Sequence, residues 1–226
     1  MNSSDMIKAM EYSAAAYRDV QPYTSHGCQA VNVYGRADVH YFLCREGDTL
    51  WITFRGTDSW NDWKADLTFW KKTVPYNNTS SKIRVHTGFI NLYKLSGVRD
   101  RILSKITPEI RAVKITGHSL GAALAVLCAV DIEYNYPDRD IEAIVFGCPR
   151  VGNKAFMKSY NKRVSKTVRI ENSNDVITKV PPALWGFRHV GAKLHVGSPR
   201  LPLIARALDH YPHRYYAGLI KRIYFH

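Results

Sequence analysis

Several things are scarce in this chain, and each shortage removes a class of protein. No apolar run approaches the roughly 20 residues that a membrane-spanning helix needs, so nothing in it reads as a transmembrane segment. The opening stretch, MNSSDMIKAMEYSAAAY, has no cationic start and no continuous apolar core, so it does not read as a secretory signal. It reads instead as a helix over about 5–19, capped by Ser4 or Asp5, with Met6, Ile7, Met10 and Tyr17 along one side. The expectation is a cytoplasmic protein, one exported by a non-classical route, or a mature form. Cysteine is sparse: Cys28, Cys44, Cys128 and Cys148 lie far apart without paired metal spacing. Cys128 falls in an apolar helical run and Cys148 at the end of an apolar strand. Buried free thiols are expected, because an unoxidised cysteine packs as a small hydrophobe; export would allow disulfides instead. Repeats, low-complexity tracts and linkers are absent. A chain of 226 residues, 46% of them hydrophobic, is long enough to bury one large core, and a single domain over 1–226 is predicted.

Acidic residues are scarce in one region. Residues 150–226 contain Glu171, Asp175 and Asp209 as their only carboxylate side chains, against 15 Lys and Arg. Of the chain's net charge of +13, this third carries +12. Such a surface attracts polyanions, and two readings stand: peripheral contact with an anionic lipid surface, or a solvated basic face. A basic membrane- or nucleic-acid-binding protein is the non-enzymatic reading; the serine motif below argues against a catalytically dead scaffold, and no specific nucleic acid is expected.

Strand-like stretches follow one another early, in QAVNVYG, DVHYFLCREG and TLWITFRG. Beyond them, strands and helices alternate. A helix is predicted from about Gly88 to Ile106, then the strand RAVKITG, the helix SLGAALAVLCAVDIEYNY, the strand IEAIVFG, the helix VGNKAFMKSYNKRV and the strand KTVRIENSN. HVGAKLHVG reads as a last strand, and LPLIARALDHYPHRYYAGLIKRI as mostly helical. This order predicts an α/β fold with a mostly parallel central sheet flanked by helices and antiparallel pairing at one edge.

The chemistry concentrates at Gly117-His118-Ser119-Leu120-Gly121, a G-x-S-x-G pattern between a predicted strand and a predicted helix. Glycines two residues to either side permit a sharp bend that leaves the serine oxygen standing clear at the carboxyl end of the sheet. The helix start adds partial positive charge where an oxyanion would form. The competing reading is a helix N-cap. A serine nucleophile needs a base and a group to orient it, and in this architecture the acid precedes the histidine along the chain. Asp175 follows the strand VRIEN. His189, His195, His210, His213 and His226 come later; His189 and His195 lie in a strand, and His226 ends the chain. DHYPHRYY leaves His210 and His213, and His210 is favoured because it opens a helical segment with Tyr215 five residues on.

Six stretches in one order resemble the class 3 lipases, the fungal-lipase-like branch of the α/β-hydrolases: TFRGTDSWNDWKADLTF, VHTGF, ITGHSLGAALA, FGCPRVGNKAF, NSNDVITKVPPALWGFRHVG and DHYPHRYY. The resemblance implies an α/β-hydrolase fold with Ser119 as nucleophile, Asp175 as orienting acid and His210 as base. It also implies oxyanion donors at Thr57, after the arginine–glycine pair, and at Leu120. One departure is that Ile177-Thr178-Lys179 separates the aspartate region from Val180-Pro181.

In the resembled family, the region about 58–72 forms a lid. Here Trp60, Trp63 and Leu67 recur at helical spacing, with Phe69 and Trp70 after them. Trp63 and Leu67 are expected to pack inward, and Trp60 and Trp70 to contact substrate or lipid. The resulting expectation is a serine carboxylester hydrolase for acylglycerols or related lipid esters. Esterase action on short-chain or aromatic acid esters, and phospholipid acyl hydrolysis, are the alternatives. No histidine–carboxylate grouping has ligand spacing, so neither metal nor organic cofactor is expected.

Overall fold

The computed structural model describes residues 2–18, 28–33, 39–57, 71–73, 80–95, 97–198 and 207–225, with 28–33 and 71–73 as backbone. Helix α1 is Ser3–Ala15. Its cap is Asn2, whose side chain accepts from the Asp5 amide at 2.7 Å, in place of the Ser4 or Asp5 cap expected from sequence. Strands β1 (Cys28–Val33), β2 (Val39–Glu46) and β3 (Thr49–Phe54) follow, then β4 (Lys71–Thr73) and β5 (Arg84–His86). Helices α2 (Thr87–Tyr93) and α3 (Val98–Leu103) replace the single helix predicted from Gly88 to Ile106. The break falls at Gly97, whose φ of 89° no helix accommodates. The rest of the chain runs β6 (Ala112–His118), α4 (Leu120–Asn135), β7 (Asp140–Phe146), β8 (Gly152–Asn153), α5 (Lys154–Arg163), β9 (Lys166–Asn172), β10 (Phe187–Arg188), β11 (Ala192–Val196) and α6 (Pro212–Phe225).

Seven strands form the main sheet in the order β1-β2-β3-β6-β7-β9-β11. The β1–β2 and β2–β3 pairs are antiparallel, and every pair from β3 onward is parallel. The antiparallel edge and parallel body match the sequence reading. A small antiparallel sheet, β10-β8-β5-β4, lies apart from it.

Both faces of the main sheet are covered, as parallel strands require. Strand β7 shows how: Ile141, Ala143 and Val145 enter one core cluster, and Ile144 and Phe146 enter another. Strand alternation sends neighbours to opposite faces. The first cluster holds α4, which is buried from Gly121 to Ala129. The second holds Met10 of α1 together with Tyr215 and Leu219 of α6. Cys128 and Cys148 are free and buried, as expected. Cys44, however, is disulfide-bonded and stands opposite Cys28 in the β1–β2 register, which corrects the free-thiol reading there. No helix among the described residues is long and apolar enough to cross a membrane.

Helix α4 meets the sheet at a tight point. A β-carbon on Gly121 would lie 2.3 Å from the Phe54 carbonyl oxygen and 2.8 Å from that of Arg55, both backbone atoms at the end of β3. Gly121→Ala should therefore force the helix off the strand and cost about 1–3 kcal/mol of stability. Chemical denaturation measures this, and an unshifted midpoint would show the contact to be slack.

Candidate active site

Strand β6 ends at His118, and α4 begins at Leu120. Ser119 alone makes the turn, with φ 60° and ψ −126°. A positive φ is rare for serine and costs of order 1–3 kcal/mol, so packing must hold it. The Ser119 N–H donates to the Phe146 carbonyl at 3.0 Å. Its side chain makes no capping hydrogen bond to the helix, which distinguishes it from an ordinary N-cap serine. Ser119 is 6% exposed, so whatever reaches it meets a largely enclosed oxygen.

Asp175 follows β9 by three residues and is buried. Its Oδ1 accepts from the Ile177 amide at 2.8 Å. Its Oδ2 accepts from His210 Nδ1 at 2.7 Å and from the Tyr215 hydroxyl. Charge-assisted bonds of this kind offset the cost of removing a carboxylate from water. Burial and the Asp175 charge push the Tyr215 hydroxyl well above its ordinary range, so it stays protonated and donating. His210 closes a short 3-10 turn over Ala207–His210, and its Nε2 is buried with no hydrogen-bond partner among the described residues. One ring nitrogen is thus committed to a carboxylate, and the other is free to take a proton. Gly147, at φ 57°, leaves the space for the pair: a β-carbon there would lie 2.8 Å from His210 Cε1 and 3.1 Å from Asp175 Oδ2.

Two further bonds hold the His210 segment. Asn172 Nδ2 donates to the Asp209 carbonyl at 2.8 Å, and His118 Nε2 meets the His210 carbonyl at 2.7 Å. The other nitrogen of His118 meets the Tyr17 hydroxyl at 2.8 Å. The sequence marked Tyr17 only as a position along the first helix, which in fact ends at Ala15, and gave no signal at Asn172, because both bond groups remote along the chain.

The remaining histidines separate clearly. His213 is exposed and stacks on Tyr211, with ring centroids 5.7 Å apart. His189 bonds the Thr178 carbonyl at 2.8 Å, and burial holds its imidazole down at about 3. His195 lies in β11, away from Asp175 in the sheet register. Thr57 is half-buried just past the end of β3. The contacts of Gly121 with Phe54 and Arg55, and of Gly56 with the His118 carbonyl, put this strand end beside the first turn of α4. Leu120 opens that helix, where amides have no intrahelical acceptor. Trp60, Trp70 and most of the lid segment 58–72 lie outside the described residues.

A family model described as lipase (class 3) matches residues 51–185. A phospholipase A(1), DAD1, chloroplastic, of Arabidopsis thaliana is 40% identical over 148 residues, which are 58% of this chain and 33% of the relative. A lipase of Rhizomucor miehei is 34% identical over 151 residues, 63% of this chain and 40% of the relative. Among solved structures, the native Rhizomucor miehei lipase propeptide complex matches with TM-score 0.74 and 25% identity, over 85% of this chain and 68% of that one. A fungal lipase–inhibitor complex matches with TM-score 0.75 at 23% identity, over 97% of this chain and 98% of that one, which speaks to fold. The chain spans between a third and two fifths of the length of those two curated relatives.

The two histidines of DHYPHRYY make opposite predictions. His210→Ala should lower turnover of a soluble ester by ~10⁴, whereas His213→Ala should leave it within a few-fold of wild type. Steady-state kinetics on the two variants measures this, and a larger loss from the His213 change would move the assignment to the stacked ring.

Proposed function

The chain belongs to the class 3 lipase family, and on that premise we propose that it is a serine carboxylester hydrolase acting on lipid esters. The observation that carries the reading is the pairing of His210 Nδ1 with buried Asp175, at 2.7 Å, while His210 Nε2 has no partner among the described residues. In the proposed reaction, His210 Nε2 removes the Ser119 proton and Ser119 Oγ attacks the ester carbonyl carbon. Asp175 keeps the imidazole in the tautomer with its proton on Nδ1 and stabilises the imidazolium that forms. The N–H groups of Thr57 and Leu120 take the developing oxyanion, a contribution of about 3 kcal/mol each. The tetrahedral intermediate collapses, His210 protonates the departing alcohol, and water then cleaves the acyl-enzyme by the same route in reverse.

Both acylglycerols and phospholipids suit this chemistry, and the names of the relatives support each: one is a lipase and another a phospholipase A(1). Lipid is favoured over a small polar ester because Leu208 and Tyr211, on either side of His210 along the chain, are 57% and 52% exposed. Large apolar side chains beside the base suit contact with an acyl chain or a lipid surface. Trp60 and Trp70 are proposed to join them. The basic residues of the chain's last third support the further reading that the bound surface is anionic.

Ser119→Ala should reduce ester hydrolysis by ~10⁴ or more and abolish labelling by a fluorophosphonate probe, with thermal stability retained. Wild-type protein that resists the probe would sink the serine-nucleophile reading. Chain-length profiling with synthetic esters separates lipase from short-chain esterase.

The charge reading has its own test. Each Lys or Arg facing a negative bilayer contributes about 1 kcal/mol, and the effect fades beyond a Debye length. Cosedimentation should therefore favour anionic over zwitterionic vesicles at low salt and lose that preference at high salt. Equal, salt-independent binding would show the positive charge to be a solvated face.

A further inference from the structure

We propose that His118, with Tyr17 behind it, is a positioning residue that registers the proposed base, His210, against the proposed nucleophile, Ser119. The inference rests on the assignment of those two residues above. His118 neighbours Ser119 in the chain, so any bond from its ring to the base segment ties base to nucleophile by a short path.

The bond's direction follows from its partners. A carbonyl oxygen only accepts, so His118 Nε2 carries the hydrogen and donates to the His210 carbonyl across 2.7 Å. His118 Nδ1 is then unprotonated and accepts from the Tyr17 hydroxyl across 2.8 Å. Both ring nitrogens are committed, and the tautomer is set by the carbonyl, with the tyrosine hydroxyl donating to the nitrogen left bare. Burial, and then the nearby His210, hold the His118 imidazole well below its ordinary range, so the ring is neutral. Neutrality matters because the two imidazoles face each other with centroids 4.4 Å apart. A charged His118 would oppose the positive charge that His210 must acquire during catalysis.

The held segment has little hold of its own. His210 ends a single 3-10 turn, and its side chain must aim one nitrogen at Asp175 and the other at Ser119. Two consecutive carbonyls anchor that turn: Asp209 by Asn172 of β9, His210 by His118 of the elbow. The Tyr17 hydroxyl also abuts the strand end before Thr57, since a β-carbon on Gly56 would fall 2.0 Å from it. One hydroxyl and one imidazole thus link the oxyanion segment, the elbow and the base. A residue that only filled space here would need neither nitrogen.

The test compares His118→Phe, which keeps a flat ring and removes the donor, with His118→Gln, which restores a donor near Nε2. On a monomeric short-chain ester, His118→Phe should lower kcat by roughly 100-fold with KM little changed, because the base is misplaced rather than the substrate lost. His118→Gln should recover most of that loss. Proton NMR gives a readout independent of turnover: the downfield Nδ1–H signal of His210 bonded to Asp175 should survive in His118→Gln and be lost in His118→Phe. Should His118→Phe fail to fold, Tyr17→Phe replaces it and should lower kcat several-fold with the same NMR change. A phenylalanine variant with wild-type kcat and an intact downfield signal would overturn the proposal, as would a glutamine variant impaired as severely as the phenylalanine one. If wild-type protein shows no serine reactivity, the hydrolase reading fails, and the His210 signal still decides whether His118 positions that ring.

Discussion

Where Gly117 of β6 meets Gly121 of α4, the gap is too small for any side chain: a β-carbon on Gly117 would lie 2.5 Å from the Gly121 carbonyl carbon. Everything at the site follows from that approach. Helix and strand come close enough that a single residue, Ser119, must make the whole turn, and it does so at a backbone angle that serine seldom adopts. Closeness also presses the helix start against Phe54 and Arg55, which brings the end of β3 beside the first turn after Ser119. The run of small residues in α4 serves the same end. Ala122, Ala123, Ala125 and Ala129 are fully buried and let the helix lie flat on the sheet.

Against this fixed elbow, Asp175 and His210 are held by hydrogen bonds, with Gly147 packed closely against both. Asp175 is buried and accepts from the backbone of its own turn, from His210 and from Tyr215. A buried carboxylate with these donors is stable where a bare one would not be. Tyr215 belongs to α6, whose Leu219 packs with Met10 of α1 in the second core cluster. The environment of Asp175 is therefore complete only once α6 has docked on the face opposite α4. That coupling makes the site a property of the whole sheet, with both layers needed.

Much of this was legible residue by residue. The apolar run IEAIVFG reads as a strand, and β7 is one, sending its side chains to both clusters. The glycines flanking Ser119 announced the elbow, because no other residue tolerates such contacts. The antiparallel start and parallel continuation followed from the spacing of strands and helices. Other features were not legible. The helix from Gly88 onward ends at Tyr93, and the next starts only after Gly97 in a left-handed conformation; a lone glycine in a helical pattern does not announce which conformation it takes. Cys28 and Cys44 looked like separate thiols until strand register set them opposite each other.

The sequence by itself determined the order of elements, the fold class, the position of the serine and the requirement for an acid and a histidine after it. These depend on local periodicity, glycine placement and chain order. Tertiary structure alone decided which histidine faces Asp175. His210 and His213 are three residues apart in one polar, aromatic segment, and the local pattern favours His210 without showing which ring reaches the carboxylate. One is drawn to a buried carboxylate, and its turn is clamped by Asn172 and His118 through bonds that span 37 and 92 residues of chain. The other is left stacked on Tyr211 at the surface. The physical reason is that a hydrogen bond depends on separation and direction in space, and those are set by packing two layers on a sheet, which no short window of sequence contains.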